Sequence, residues 1–153
     1  MALADLLQQD AIIPALKVNS KKQLLQELSA KASRITGVPE REVFDVILQR
    51  ERLGSTGVGH GIAIPHGKLE SISSIVGVFA RLESPVDFEA LDDQPVDLVF
   101  LLLAPEGAGA DHLKALSRIA RVLRDQELVA KLRATDSDTA IYAFLNAEQA
   151  NAA

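Results

Sequence analysis

The sequence predicts a single-domain α/β fold, a β-sheet sandwiched by helices, and three observations carry that prediction. The chain has 153 residues, the size of one compact domain with one core region. Segments of helical period and short β-branched runs succeed one another as α/β/α/α/β/β/β/α/α, the order of a sheet with helices packed over it. Hydrophobic residues make up 48% of the chain and charged residues 24%, a globular balance that excludes a disordered or collagen-like polypeptide.

Taken in order, Ala11, Ile12 and Ile13 with Pro14 predict an edge strand, because proline cannot donate to a ladder. Ser20 to Gln23 has capping-box spacing, and Leu24, Leu25, Leu28, Ala32 and Ile35 form an apolar stripe that ends at Gly37. Pro39 suits the first turn of a second helix, Glu40 and Glu42 suit its positive end, and Val43, Phe44, Ile47 and Leu48 are its buried face. From Gly54 to Gly67 five glycines, two hydroxyl residues and Ile62-Ala63-Ile64 read as a loop leading into a short strand. Ile75–Leu82 and Val96–Ala104 are strands, the second central because only Asp97 breaks its apolar run. Leu113, Leu116, Ala120 and Leu123 define a further helix, and Asp136 or Ser137 can cap a last one through Leu145, before a tail from about residue 147 to 153 that is expected to fray.

Composition also bounds the function. A net charge of −5 and only 4% aromatic residues argue against nucleic acid as a partner. With no cysteine, disulfides, thiolate metal sites and a cysteine nucleophile are excluded. Met1 to Asp5 carries no basic signal-peptide region, and the longest apolar run, Leu98–Ala104, falls far short of the ~20 residues of a membrane-crossing helix. A soluble cytoplasmic protein without membrane insertion is expected. No cofactor or metal is expected either.

The glycine-rich segment is not a nucleotide loop. The third glycine of a dinucleotide fingerprint falls on Ile62, and Leu69 stands where a Walker loop needs a hydroxyl for magnesium. What remains is His66, between Pro65, which fixes its own φ, and Gly67, which leaves a partner's approach open. Neutral imidazole is a nucleophile that needs no activating base. On the residues alone, a satisfied strand-end histidine fits the same frame.

The run Arg50-Glu51-Arg52-Leu53-Gly54-Ser55-Thr56-Gly57-Val58-Gly59-His60-Gly61-Ile62-Ala63-Ile64-Pro65-His66-Gly67-Lys68-Leu69 closely resembles the active-site signature of fructose/mannitol-type enzyme IIA domains of the bacterial phosphotransferase system. The likeness extends to Pro95–Val99 and to the helix start Asp111-His112-Leu113, and its nearest branch is the nitrogen-related IIA proteins. It implies a single type-2 IIA domain over residues 1–153 with a mixed sheet of about five strands.

The resemblance makes His66 the phosphoryl acceptor at Nε2, with His112 and Arg50 as its catalytic partners. Phosphoryl transfer spreads charge over equatorial oxygens, so a planar arginine fork and a positioned imidazole serve it. Ser55, Thr56 and Gly67 are candidate phosphate supports, through hydroxyls and exposed backbone N–H groups. Ile62, Val58 and Leu69 are the candidates for an apolar docking surface around His66, ringed by polar groups. Each has a plainer reading: Arg50 a solvated helix end, Ser55 and Thr56 turn residues, His112 an early-helix residue. His60 matches no family role, and His60, His66 and His112 together have only the count of a catalytic zinc set.

The implied partners are a histidine phosphocarrier protein of the HPr or NPr kind, enzyme I of the nitrogen branch behind it, and regulatory targets such as sensor kinases or potassium transport systems. The alternatives are a sugar-type IIA that passes phosphate to a separate IIB, or an interaction module that is never phosphorylated.

Overall fold

A short helix, α1 (Leu3–Leu6), and a 3-10 turn (Gln9–Ala11) lead into strand β1 (Ile12–Leu16) of this computed structural model, which describes residues 3–151. Helix α2 (Lys21–Thr36) starts as its capping residues dictate: Ser20 Oγ accepts the Gln23 N–H at 3.1 Å, and Gln23 Oε1 accepts the Asn19 N–H at 2.8 Å. It stops where Gly37 takes φ 80°, a left-handed conformation that favours glycine. Helix α3 (Glu40–Arg52) follows, with Pro39 as its cap rather than inside its first turn.

The glycine-rich stretch contains three short strands instead of one. They are β2 (Gly57–Gly59), β3 (Ile62–Ala63) and β4 (His66–Leu69). Then come β5 (Val76–Val86), β6 (Val96–Pro105), α4 (Ala110–Val122), α5 (Gln126–Arg133) and α6 (Asp138–Asn151). Helix α5 is absent from the sequence pattern; Asp125 caps it by accepting the Glu127 and Leu128 N–H groups at 3.0 and 3.2 Å. Ser137 rather than Asp136 caps α6, accepting the Ala140 N–H at 3.2 Å. The backbone of α6 is helical to Asn151, past residue 147 where fraying was expected, and residues 152 and 153 lie outside the described part.

Six strands form one mixed sheet in the order β1-β5-β6-β3-β2, with β4 also on β6. β1 is an edge strand, parallel to β5, and β5 is antiparallel to β6. β3 and β4 lie end to end along the other side of β6, both parallel to it, Ile62 opposite Leu98 and His66 opposite Leu102. The break between them is Ile64-Pro65, where proline has no N–H for the ladder while its carbonyl still accepts the Leu102 N–H at 3.0 Å. The position of His66 is therefore set by the central strand.

Along β6 the side chains alternate. Leu98, Phe100 and Leu102 join one cluster with Ala115, Ile119, Leu132 and Ile141. Val99, Leu101 and Leu103 join the other with Leu24, Leu28, Val43 and Ile47. Both faces are covered, as the apolar run predicts. Each such side chain contributes about 1.5–3 kcal/mol of burial.

Candidate functional site

His66 opens β4, and its ring is oriented by its own chain. Nδ1 lies 3.0 Å from the Ile64 carbonyl oxygen; a carbonyl only accepts, so Nδ1 carries the proton and Nε2 keeps its lone pair. Arg50, in the last turn of α3, donates its Nε–H to that lone pair at 3.3 Å and its Nη1–H to the Gly54 carbonyl at 3.0 Å.

The opposite helical layer supplies His112, in the first turn of α4. Its ring meets His66 edge-on, with centroids 5.5 Å apart and planes at 80°. His112 is 8% exposed, and its Nε2 is buried without a hydrogen-bond partner. Burial first, then repulsion from His66 and Lys68, hold its pKa below the ordinary histidine value. His112 is thus a neutral imidazole near pH 7, with a ring nitrogen available to a ligand.

Arg50, His66, Lys68 and His112 share a groove of about 550 Å³ with Val46 and Leu53. Gly67 lines it for a packing reason: a Cβ there would collide with Val46 Cγ1 of α3. With Val46 in place, glycine at 67 lets β4 pack closely on α3, the helix that carries Arg50. Of the apolar residues that line the groove with Val46, Leu53 is 84% exposed; Leu113, next to His112 in sequence and 68% exposed, lines a separate depression with Lys114 and Arg118. Ile62 and Leu69, candidates for the docking surface, are core residues at 3% and 2% exposure, because strand pairing with β6 turns them inward. Val58 is half exposed but does not line the groove.

The hydroxyls of the signature are used elsewhere. Ser55 Oγ donates to the Phe88 carbonyl at 2.8 Å and accepts the Gly57 N–H. Thr56 is buried, its N–H donating to Glu51 Oε1 at 3.1 Å and its hydroxyl to Glu51 Oε2. Neither lines the groove with His66. His60 occupies a φ of 57°, its N–H bonded to Asp92 and its carbonyl to Arg133, which pairs with Asp97. Among the described residues no group of three His, Cys, Asp or Glu side chains is placed to hold a metal ion.

Two features escaped the sequence reading. The Ile64 carbonyl is a backbone group whose partner is invisible in a string of letters. The pair of partly exposed Lys21 and buried Glu51, Nζ to Oε1 at 3.0 Å, did leave a signal: a cation opens α2 and an acid stands in the last turn of α3, each against its helix dipole. Charges so placed at two helix ends are candidates for each other.

A nucleophilic nitrogen flanked by two cationic side chains and a neutral imidazole suits transfer of an anionic group. Residues 5–148 match the family described as phosphoenolpyruvate-dependent sugar phosphotransferase system, EIIA 2. A nitrogen regulatory protein of Bradyrhizobium diazoefficiens is 65% identical over 153 residues, covering 100% of both chains. The fructose-specific EIIABC component of Bacillus subtilis is 35% identical over 147 residues, 95% of this chain and 23% of that protein. The crystal structure of nitrogen regulatory protein IIA-Ntr from Neisseria meningitidis is similar with a TM-score of 0.89 at 36% identity, covering 94% of this chain and 98% of that one.

Proposed function

We propose, given that the chain belongs to the EIIA type-2 family of the phosphoenolpyruvate-dependent sugar phosphotransferase system, that it is a nitrogen-branch regulator phosphorylated on His66 Nε2. The donor is a phosphorylated histidine phosphocarrier protein, charged in turn by enzyme I. The observation that carries the reading is the Nδ1 contact with Ile64, which leaves the Nε2 lone pair on the groove.

In the transfer, Nε2 forms a bond to phosphorus as the donor's P–N bond breaks, and the donor imidazole recovers its electron pair. Nδ1 keeps its proton on Ile64 throughout. Arg50 moves its Nε–H from the lone pair to a phosphoryl oxygen while Nη1 stays on the Gly54 carbonyl, a division that its planar fork allows. His112, protonated at Nε2, gives a further hydrogen bond, and Lys68 adds positive charge. Gly67 supports phosphate binding by keeping β4 against α3. The modification adds about −1.5 to −2 charges beside exposed Leu53, enough to change which regulatory target docks. Sensor kinases and potassium transport systems are the target classes, and the cytoplasm is where this relay would run. Among the described residues no helix is long and apolar enough to cross a membrane.

Incubation with phosphoenolpyruvate, enzyme I and the phosphocarrier should add one acid-labile phosphoryl group, absent from His66→Ala. An unlabelled wild type would reject the carrier role and favour an interaction module. The likeness to a fructose-specific component supports a second reading, a sugar-type IIA. Rapid passage of the label to a separate fructose-type IIB domain would select it.

A further inference from the structure

We propose that Glu51 is a positioning residue for this site: with Thr56 it forms a latch that holds the Gly54 carbonyl, and through it Arg50, against His66. The inference rests on His66 being the acceptor. Arg50 and Glu51 are neighbours at the end of α3, and their side chains serve different places. Arg50 lines the groove, whereas Glu51 is 7% exposed. Glu51 Oε1 accepts the Thr56 N–H at 3.1 Å and faces Lys21 Nζ at 3.0 Å, while Oε2 accepts the Thr56 hydroxyl. Lys21 Nζ also lies 4.4 Å from the centre of the Phe88 ring and 3.6 Å from Glu89 Oε1. Both carboxylate oxygens are satisfied and the buried charge is paired, the condition under which such a group holds its surroundings in one arrangement.

Gly54 lies between the two ends of this latch, and its carbonyl is the acceptor for Arg50 Nη1 at 3.0 Å. Nη1 and Nε belong to one planar guanidinium, so anchoring the first aims the second at His66 Nε2, 3.3 Å away. Arginine sits on a long flexible stem, and without a fixed carbonyl the fork loses its direction. Thr56 thereby acts on the phosphate through Glu51 and Arg50 and never touches it.

The test is single-turnover phosphoryl transfer from the phosphorylated carrier to Thr56→Val, Thr56→Ser and Glu51→Gln chains. Thr56→Val and Glu51→Gln should lower the maximal rate about tenfold or more, with the half-saturating carrier concentration nearly unchanged, and Thr56→Ser should restore the rate. In an Arg50→Ala chain, Thr56→Val should add less than about twofold, because the latch acts through that arginine. A full additional loss there, or a wild-type rate in Thr56→Val, overturns the proposal. A second readout needs no phosphorylation: the Arg50 Nε–H resonance in 15N NMR should exchange slowly in wild type and Thr56→Ser and rapidly in Thr56→Val. Equal exchange in all three rejects the latch even where labelling succeeds, and an unlabelled wild type rejects the acceptor role while leaving this comparison intact. If Glu51→Gln does not fold, the Thr56 pair carries the test.

Discussion

Arg50 Nε stands 3.3 Å from His66 Nε2, so that Arg50 donates to the lone pair which, on the proposed function, attacks the phosphoryl group. The contact orients both groups, and in the proposed transfer it is exchanged for a phosphoryl oxygen. Arg50→Ala should slow phosphorylation by about 10²-fold or more, the usual loss when a transition-state donor is removed. Arg50→Lys should recover little, since a point charge cannot hold Gly54 and a phosphoryl oxygen at once. Quenched-flow labelling measures both.

His112 links stability to pH. Its folded pKa lies below the ordinary value of about 6.5, so the unfolded chain binds the proton more readily. The contribution is fully present above about pH 6.5 and is lost as pH falls through the folded value. Thermal unfolding between pH 7.5 and 5 should show a shallower acid-side decline in His112→Gln than in wild type. An identical slope would mean that another group governs the decline. The same variant should be phosphorylated more slowly.

Gly67→Ala should destabilise the fold by about 1–3 kcal/mol, since the added methyl meets Val46 Cγ1 across the β4–α3 contact. It should slow phosphorylation too, by moving His66 away from Arg50. Val46→Ala in the same chain should restore much of the rate. Urea unfolding and labelling, compared across the two chains, check this.

Arg133 holds Asp97 through Nε and Nη2 at 2.9 Å and the His60 carbonyl at 2.7 Å, and none of the three residues lines the groove. Both side chains of the pair are partly exposed, 38% and 26%, so Arg133→Ala should cost no more than about 1 kcal/mol. It should leave the labelling rate unchanged. A large drop in that rate would show that the loop's anchorage reaches His66.

The central strand was legible because β6 is buried on both faces and says so in an unbroken apolar run. The frame of Pro65 and Gly67 singled out His66, but that frame fits a strand-end histidine equally well, and the resemblance is what made it the candidate acceptor. Strands β2 and β4 were not legible: Gly57, Gly59 and Gly67 are poor strand formers, and pairing along β6 and the approach of Val46 put them there. The hydrogen bonds of Ser55 and Thr56 were not legible for a related reason. Their hydroxyls answer to Phe88, 33 residues away, and to Glu51, distances that local pattern cannot weigh. Site chemistry carried by backbone groups, such as the Ile64 carbonyl, has no sequence signature at all.

The three side chains gathered at the groove come from different layers of the fold. His66 rides on the sheet, Arg50 on α3, whose Val43 and Ile47 belong to one apolar cluster, and His112 on α4, whose Ala115 and Ile119 belong to the other. Loosening of either helical layer alone would therefore separate a partner from His66 while most of the chain stayed folded. On the proposed function, competence to take up phosphate would work as a conjunction of two packings, and a chain partly opened by heat or by a bound partner would fall silent before it unfolds.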